Sequence, residues 1–189
     1  MMIKTNENER RDFFRINDEV FIKLKAITED EYKAAPETLN NLHNSSFSLS
    51  ADFATLNNNI HPILNNIKQL HPDIGEYLDV LNSKIDSLSQ HILYDNTSYD
   101  KNQAITANLS ASGIQFKTDQ PLKIQQAVKL ELVLLPEKIG VLIFGRVIKF
   151  KENNISIEFE YLRPEDQELM IKHNLNKQMA ELREKNDNV

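Results

Sequence analysis

Two kinds of hydrophobic pattern divide the chain. Residues 16–28 alternate apolar and polar positions, and the same alternation returns over residues 103–162. A period of two is typical of half-buried β-strands. Residues 37–95 instead place apolar side chains three and four positions apart, which predicts helices. The pattern therefore predicts a β core interrupted by a long helical insertion, which is an α+β fold with a mainly β core.

The β regions read as several short strands. Residues 16–28, 128–134 and 155–161 each have one apolar face, and the connections LPEKIG and KENN are of hairpin length. The run over residues 141–151 carries Gly145 at its centre, a position typical of a bulge or a sharp bend. Short antiparallel strands with one apolar face predict a small barrel, because closure leaves no open sheet edge.

The insertion contains two heptad seams, which predict two helices. The first seam runs from Phe53 to Leu70, and we expect a kink or break near Pro62, where proline and neighbouring asparagines disfavour a continuous helix. The second helix is predicted from about residue 73 to 94. Its seam consists of Ile74, Leu78, Leu81, Ile85, Leu88 and Ile92.

The two seams allow two interpretations. Their apolar faces either pack on each other and on the barrel within one subunit, or they meet copies in other subunits. The apolar character of both helices favours a homo-oligomer formed through residues 50–94, and the pattern does not distinguish a dimer from a tetramer.

A third helix is predicted at the C-terminal end. Pro164 suits its first turn, and the expected apolar side consists of Leu169, Leu175, Met179 and Leu182.

Composition and charge exclude several classes of function. The 189 residues include no Cys, which excludes disulfides, thiolate nucleophiles and Cys-based metal sites, and a net charge of −6 disfavours DNA or RNA binding. The five histidines, at 43, 61, 71, 91 and 173, show no close metal-ligand spacing and fit ordinary helix surfaces. No glycine-rich phosphate loop or catalytic constellation is present, so we expect neither an enzyme nor a bound metal or cofactor.

Without an apolar leader or a run of about 20 apolar residues, a cytoplasmic protein without membrane insertion is expected.

The arginines are unevenly distributed. Only six accompany sixteen lysines, yet Arg10, Arg11 and Arg15 fall within six positions just before the first strand. A guanidinium makes planar, two-pronged contacts with phosphates and guanine edges. The cluster is either part of an anion site or a surface charge run paired with nearby acids.

A second polar motif ends one predicted strand and begins the next. In NLSASG, Asn108 and Ser110 offer short polar side chains, and Gly113 permits either close backbone approach or a positive φ. The motif is either part of a binding site or simply a tight turn.

Together, the two motifs resemble the signatures of the PilZ family of bacterial cyclic di-GMP receptors. The RxxxR signature corresponds to Arg11-Asp12-Phe13-Phe14-Arg15, and the (D/N)xSxxG signature corresponds to Asn108-Leu109-Ser110-Ala111-Ser112-Gly113. The resemblance covers about 120 residues in two segments. It implies a six-stranded antiparallel barrel followed by a helix. It also implies that Arg10, Arg11, Arg15, Asn108, Ser110 and Gly113 bind cyclic di-GMP.

The helical insertion separates the two motifs by 93 positions, which resembles an atypical, tetramer-forming PilZ subgroup with inserted heptad helices. This comparison divides the chain into residues 1–30 (arginine motif and first strand), 31–100 (helical insertion) and 101–189 (remaining barrel and C-terminal helix). The function it implies is a cyclic di-GMP-binding signalling adaptor that acts on an unidentified downstream protein. The alternative is a PilZ-like oligomerisation module that does not bind nucleotide.

Overall fold

A computed structural model describes residues 14–45, 47–96 and 104–187 of the chain. Within these ranges, no helix combines the length and apolar character needed to cross a bilayer. The elements in chain order are β1 (Ile16–Ala26), α1 (Glu29–Lys33), α2 (Ala35–Asn40), a 3-10 turn (Asn41–Asn44), α3 (Leu49–Leu70), α4 (Pro72–Asn96), β2 (Ile105–Ser110), β3 (Gly113–Lys117), β4 (Ala127–Leu134), β5 (Ile139–Lys151), β6 (Asn154–Tyr161) and α5 (Pro164–Asp187).

The six strands close into an antiparallel barrel in the order β1-β2-β3-β6-β5-β4. This confirms the predicted fold class. Alternate side chains of each strand point into the barrel, where Val20, Leu109, Ile114, Leu130 and Ile143 are at most 1% exposed. Closure pairs every strand on both sides, so the sheet offers no free edge.

Gly145 marks a bulge, as the sequence predicts. The pairing register of β5 with β6 shifts between Phe144 and Gly145. A Cβ at this position would collide with the backbone carbonyl oxygen of Glu158, so the close approach of the two strands requires glycine.

Two short helices precede the long ones. Thr28 begins α1 with a capping box, in which its side chain accepts from the Glu31 amide and Glu31 accepts from the Thr28 amide. Their apolar side chains cover the outer face of β4 and β5. This second core consists of Tyr32, Ala35, Leu39, Leu42, Ala127, Leu142 and Phe144.

Of the kink or break expected near Pro62, the break does not occur, because α3 continues as one helix from Leu49 to Leu70. Pro62 removes one backbone hydrogen bond, and the packing of α3 along α4 supports the helix despite this loss. The two helices run antiparallel, because the Asn57 amide donates to Asp86 at 3.0 Å and Lys68 pairs with Asp79 at 2.6 Å.

The side of α5 that packs on the barrel differs from the prediction. Leu169 is buried as expected, but Leu175, Met179 and Leu182 are about half exposed. Beside Leu169 and Met170, the buried side carries the ionic residues Asp166 and His173, and the buried Arg163 directly precedes the helix. Its guanidinium donates to both carboxylate oxygens of the buried Asp166 and to Asp52 of α3 at 2.7 Å, which ties α5 to the insertion.

A second ionic cluster holds α5 against β1. His173 is buried, contrary to its interpretation as a surface residue, and its Nε2 lies 2.6 Å from Oδ2 of Asp18. Its Nδ1 lies 3.3 Å from Glu137, and Lys177 donates to Asp18 at 2.7 Å. Burial alone would lower the pKa of His173, but the hydrogen bonds and charges of Asp18 and Glu137 outweigh burial and raise it. The same contacts lower the pKa of both carboxylates against the opposing effect of burial.

Candidate functional site

The pairing of β1 with β2 brings the two sequence motifs together. Asn17 lies opposite Asn108 in the register. The Arg15 guanidinium donates from Nη1 to Oδ1 of Asn108 at 3.2 Å, and Nδ2 of Asn108 donates to Oδ1 of Asn17 at 2.9 Å. Residues 93 positions apart are therefore direct neighbours on the barrel.

Gly113 lies beneath the Arg15 guanidinium. An added Cβ would stand 2.8 Å from the carbonyl oxygen of Ile157 and 3.3 Å from Nη2 of Arg15. The glycine does not have a positive φ, so of the two predicted reasons for it, close approach is correct and positive φ is wrong. Its missing side chain lets the guanidinium lie close to the turn between β2 and β3.

Ser110 has a different place from Asn108. Its side chain is 1% exposed and donates to the carbonyl oxygen of Gly113 at 3.1 Å. The hydroxyl therefore fixes the turn on which the glycine lies. Arg10 and Arg11 lie outside the described residues, so Arg15, Asn108, Ser110 and Gly113 are the predicted ligand residues that the structure brings together.

The site continues on the outer face of the barrel as an open cleft of about 810 Å³. Asn108 and Asn17 line it at the end nearest Arg15, and β3 and β6 supply its other wall. Gln115 pairs with Asn108 across β2 and β3, and Lys117 pairs with Asn154 across β3 and β6. The motifs did not identify Gln115, Lys117 and Asn154. The alternation of a β-strand nevertheless places Gln115 and Lys117 on the same face of β3 as Gly113.

A second pocket, of about 360 Å³, lies where α3, α4 and α5 meet the hairpin between β4 and β5. Several of its polar groups bond to one another. The Asn57 amide donates to Asp86, and the Gln90 amide donates to the carbonyl oxygen of Glu137 at 3.2 Å. This pocket contains none of the motif residues. Across the described part of the chain, no group of three or more His, Asp or Glu side chains could hold a metal ion.

The predicted heptad seam of α4 is largely open within the subunit. Leu78 is partly buried, whereas the other five seam side chains are between 39% and 62% exposed. Neighbouring apolar residues of both helices are exposed as well. The exposed set on the hairpin is Leu56, Ile60, Ile63, Leu70, Ile74, Tyr77, Val80, Leu81, Ile85, Leu88 and Ile92.

Comparison with known proteins agrees with this architecture. Residues 89–175 match the family model of the PilZ domain. The matched segment holds β2 to β6 with Asn108, Ser110 and Gly113, and β1 with Arg15 completes the barrel around it. This part of the chain is a PilZ domain, which confirms the family that the two motifs predict.

Two solved structures are similar to the chain. A tetrameric PilZ domain protein of Xanthomonas campestris, described as self-assembled through a helical bundle, aligns with 9% identity over 90% of this chain and 91% of that protein (TM-score 0.53). The inhibitor of motility MotI/DgrA of Bacillus subtilis aligns with 16% identity over 41% of this chain and a TM-score of 0.37, and the alignment spans 42% of that protein. No curated protein gives a significant match. The first alignment covers 90% of this chain, so the likeness in fold extends to the helical insertion as well as the barrel.

Proposed function

We propose that this protein is a cytoplasmic adaptor that binds cyclic di-GMP on the outer face of its barrel and assembles through α3 and α4. The observation that carries the proposal is the contact between Arg15 and Asn108, 3.2 Å apart, above the close-packed Gly113. Two sequence motifs that mean little separately thus form one polar surface. PilZ domains belong to a family of cyclic di-GMP receptors, which supports this ligand over other anions.

The chemistry of the site suits a guanine nucleotide. The guanidinium of Arg15 can reach N7 and O6 of a guanine or a phosphate oxygen, and the amide of Asn108 can both donate and accept. Gly113 supports this contact surface indirectly, because its missing side chain lets the Arg15 guanidinium lie close to the turn. Because Arg15 and Asn108 already contact each other, both groups are positioned before the ligand makes its own contacts with them.

Calorimetric titration of cyclic di-GMP into the full chain tests the proposal. We expect saturable binding by the wild type. Arg15→Ala should weaken it roughly 10-fold or more, because a charge-assisted contact contributes about 1.5–3 kcal/mol. Arg183→Ala, which removes an exposed arginine of α5, is the matched control and should bind like the wild type. An absence of binding by the intact protein would overturn the nucleotide proposal.

The second candidate is an assembly module that does not bind nucleotide. The observation in its favour is that side chains of the site already hydrogen-bond to one another. Arg15 donates to Asn108, and Asn108 donates to Asn17. This candidate predicts no thermal shift with cyclic di-GMP and the same oligomer size for wild type and Arg15→Ala. The titration above separates the two candidates.

The open seam supports the assembly part of the proposal. Folded monomers rarely expose large contiguous apolar patches, and such patches mark interaction sites. With 25 residues, α4 is about 37 Å long, which is enough for roughly three heptads in contact. The partner of this surface is proposed to be a second copy of the same chain, because a heptad seam on each of two neighbouring helices is self-complementary.

A further inference from the structure

The outer face of β3 extends the site beyond the two motifs. Gln115 lies directly opposite Asn108, and Lys117 follows two positions later on the same face. Diagonal neighbours of this kind in an antiparallel pair have Cα atoms about 7–8 Å apart, so the long lysine side chain can reach a ligand that touches Asn108. Both residues line the open cleft that Asn17 and Asn108 border.

Among the described residues of the barrel strands, Lys117 and Lys149 have no acidic partner, and of these two Lys117 lines the cleft. By contrast, Lys129 pairs with Glu131 at 3.2 Å, and Lys151 pairs with Glu152 at 3.4 Å. In the described part of the chain, no carboxylate forms an ion pair with Lys117, which is exposed and lines the cleft. Within the described ranges, Lys117 is thus a cation without an ion pair beside the motif asparagine, in a chain whose net charge is −6.

The positions of the two cations suit a dianion. Arg15 approaches Asn108 from the side of the turn between β2 and β3, and Lys117 lies on the opposite side of Asn108 along the strands. A cyclic dinucleotide carries two phosphates, each with one negative charge. A lysine ammonium binds phosphate as a point charge without a fixed orientation, whereas arginine supplies the planar contact.

We propose that Lys117 is a second cationic contact of the site and that the ligand extends along the outer face of β2 and β3 from Arg15 to Lys117. Gln115 and Asn154 border this path with amides that can donate and accept hydrogen bonds. This inference rests on the proposed function, since it names further residues of the same ligand site.

Titration of cyclic di-GMP into Lys117→Gln, Lys117→Arg and Lys123→Gln tests the inference. Lys123→Gln is the matched control, because it removes the same charge from an exposed lysine of the loop between β3 and β4 that does not line the cleft. We expect Lys117→Gln to bind about 5- to 20-fold more weakly than the wild type, as one charge-assisted contact at a partly exposed site implies. Lys117→Arg should restore most of the affinity, and the control should match the wild type.

Each other outcome overturns a stated part of the account. If the wild type binds and Lys117→Gln binds equally well, Lys117 is not a contact, while the proposed function stands. If Lys123→Gln loses as much affinity as Lys117→Gln, the effect is one of overall charge and the inference is wrong. If the wild type does not bind, the proposed function fails first and the extension fails with it.

Discussion

Leu88→Asp separates the two interpretations of the helical seam. Leu88 is 62% exposed in the single subunit, so an aspartate there remains in water and leaves the subunit core intact. In an assembled seam the same position is buried. Deleting a fully buried leucine costs about 2–5 kcal/mol. The assembly would bury the 62% of Leu88 that is exposed in the subunit, so its removal should cost the association about 1–3 kcal/mol for each copy. Burying the new carboxylate adds to this cost.

Two copies contribute to a contact between subunits, so the total cost reaches about 4 kcal/mol or more, or roughly a 1000-fold weaker association. Sedimentation velocity over a range of protein concentrations measures this change directly. The matched control is Ile124→Asp, since Ile124 is 61% exposed but lies in the loop between β3 and β4. We expect an oligomeric wild type, an oligomeric Ile124→Asp and a folded but monomeric Leu88→Asp. A monomeric wild type, or a Leu88→Asp variant that stays assembled, would refute the reasoning.

Three further predictions concern the fold and the site. Gly113→Ala places a Cβ 2.8 Å from the Ile157 carbonyl oxygen, so we expect a loss of about 1–3 kcal/mol in urea unfolding and weaker binding of cyclic di-GMP. Arg163→Leu leaves Asp166 buried without its partner and should cost about 3–5 kcal/mol, whereas Arg163→Leu combined with Asp166→Leu should recover most of that loss. His173→Gln should destabilise the protein more at about pH 6 than at about pH 9, measured by urea unfolding at each pH.

The sign of the pH prediction follows from the raised pKa of His173. Its charged contacts with Asp18 and Glu137 stabilise the fold fully below the unfolded-state pKa of about 6.5, and this contribution is lost as the pH rises through the higher folded-state pKa. Both carboxylates have lowered pKa values and remain ionised over this range. A difference between wild type and His173→Gln that grows with pH would contradict the assignment. Unchanged stability of Gly113→Ala would contradict the predicted clash at that glycine. A double variant no more stable than Arg163→Leu would contradict the cost assigned to the unpaired Asp166.

The alternating pattern predicted a small barrel because each strand has one face in the core, whereas the number of six strands came from the resemblance to the PilZ family. Gly145 even marked the bulge in β5. The same alternation did not predict Asp18, whose carboxylate occupies a buried position of β1, because its partners His173 and Lys177 are more than 150 residues away. A buried ionic cluster requires that tertiary contact, which local sequence does not reveal.

The helices were predicted less completely. Heptad spacing located both long helices. The break that we considered at Pro62 does not occur, because packing along α4 supports α3 despite the lost hydrogen bond. The short helix α1 was not predicted, although Thr28 and Glu31 have the spacing of a capping box. On α5, Leu169 is buried as predicted, but Leu175, Met179 and Leu182 are about half exposed, because ionic residues such as Asp166 and His173 share the buried side.

The site required more than a local pattern. The resemblance to PilZ motifs linked Arg15 with Asn108, and the pairing of β1 with β2 gave the contact its geometry. Ser110 belonged to the motif for a reason that sequence could not give, since its hydroxyl holds the turn at Gly113. Lys117 was missed because no motif contains it, and its place near Asn108 follows from the register of β2 and β3.

A crystal structure of the full chain grown with cyclic di-GMP tests the central claim most directly. The account predicts the dinucleotide on the outer face of β1, β2 and β3, with one guanine or phosphate within hydrogen-bond distance of Arg15 and Asn108. A dinucleotide bound elsewhere on the molecule, or no dinucleotide at saturating concentration with this face accessible to solvent, would contradict it.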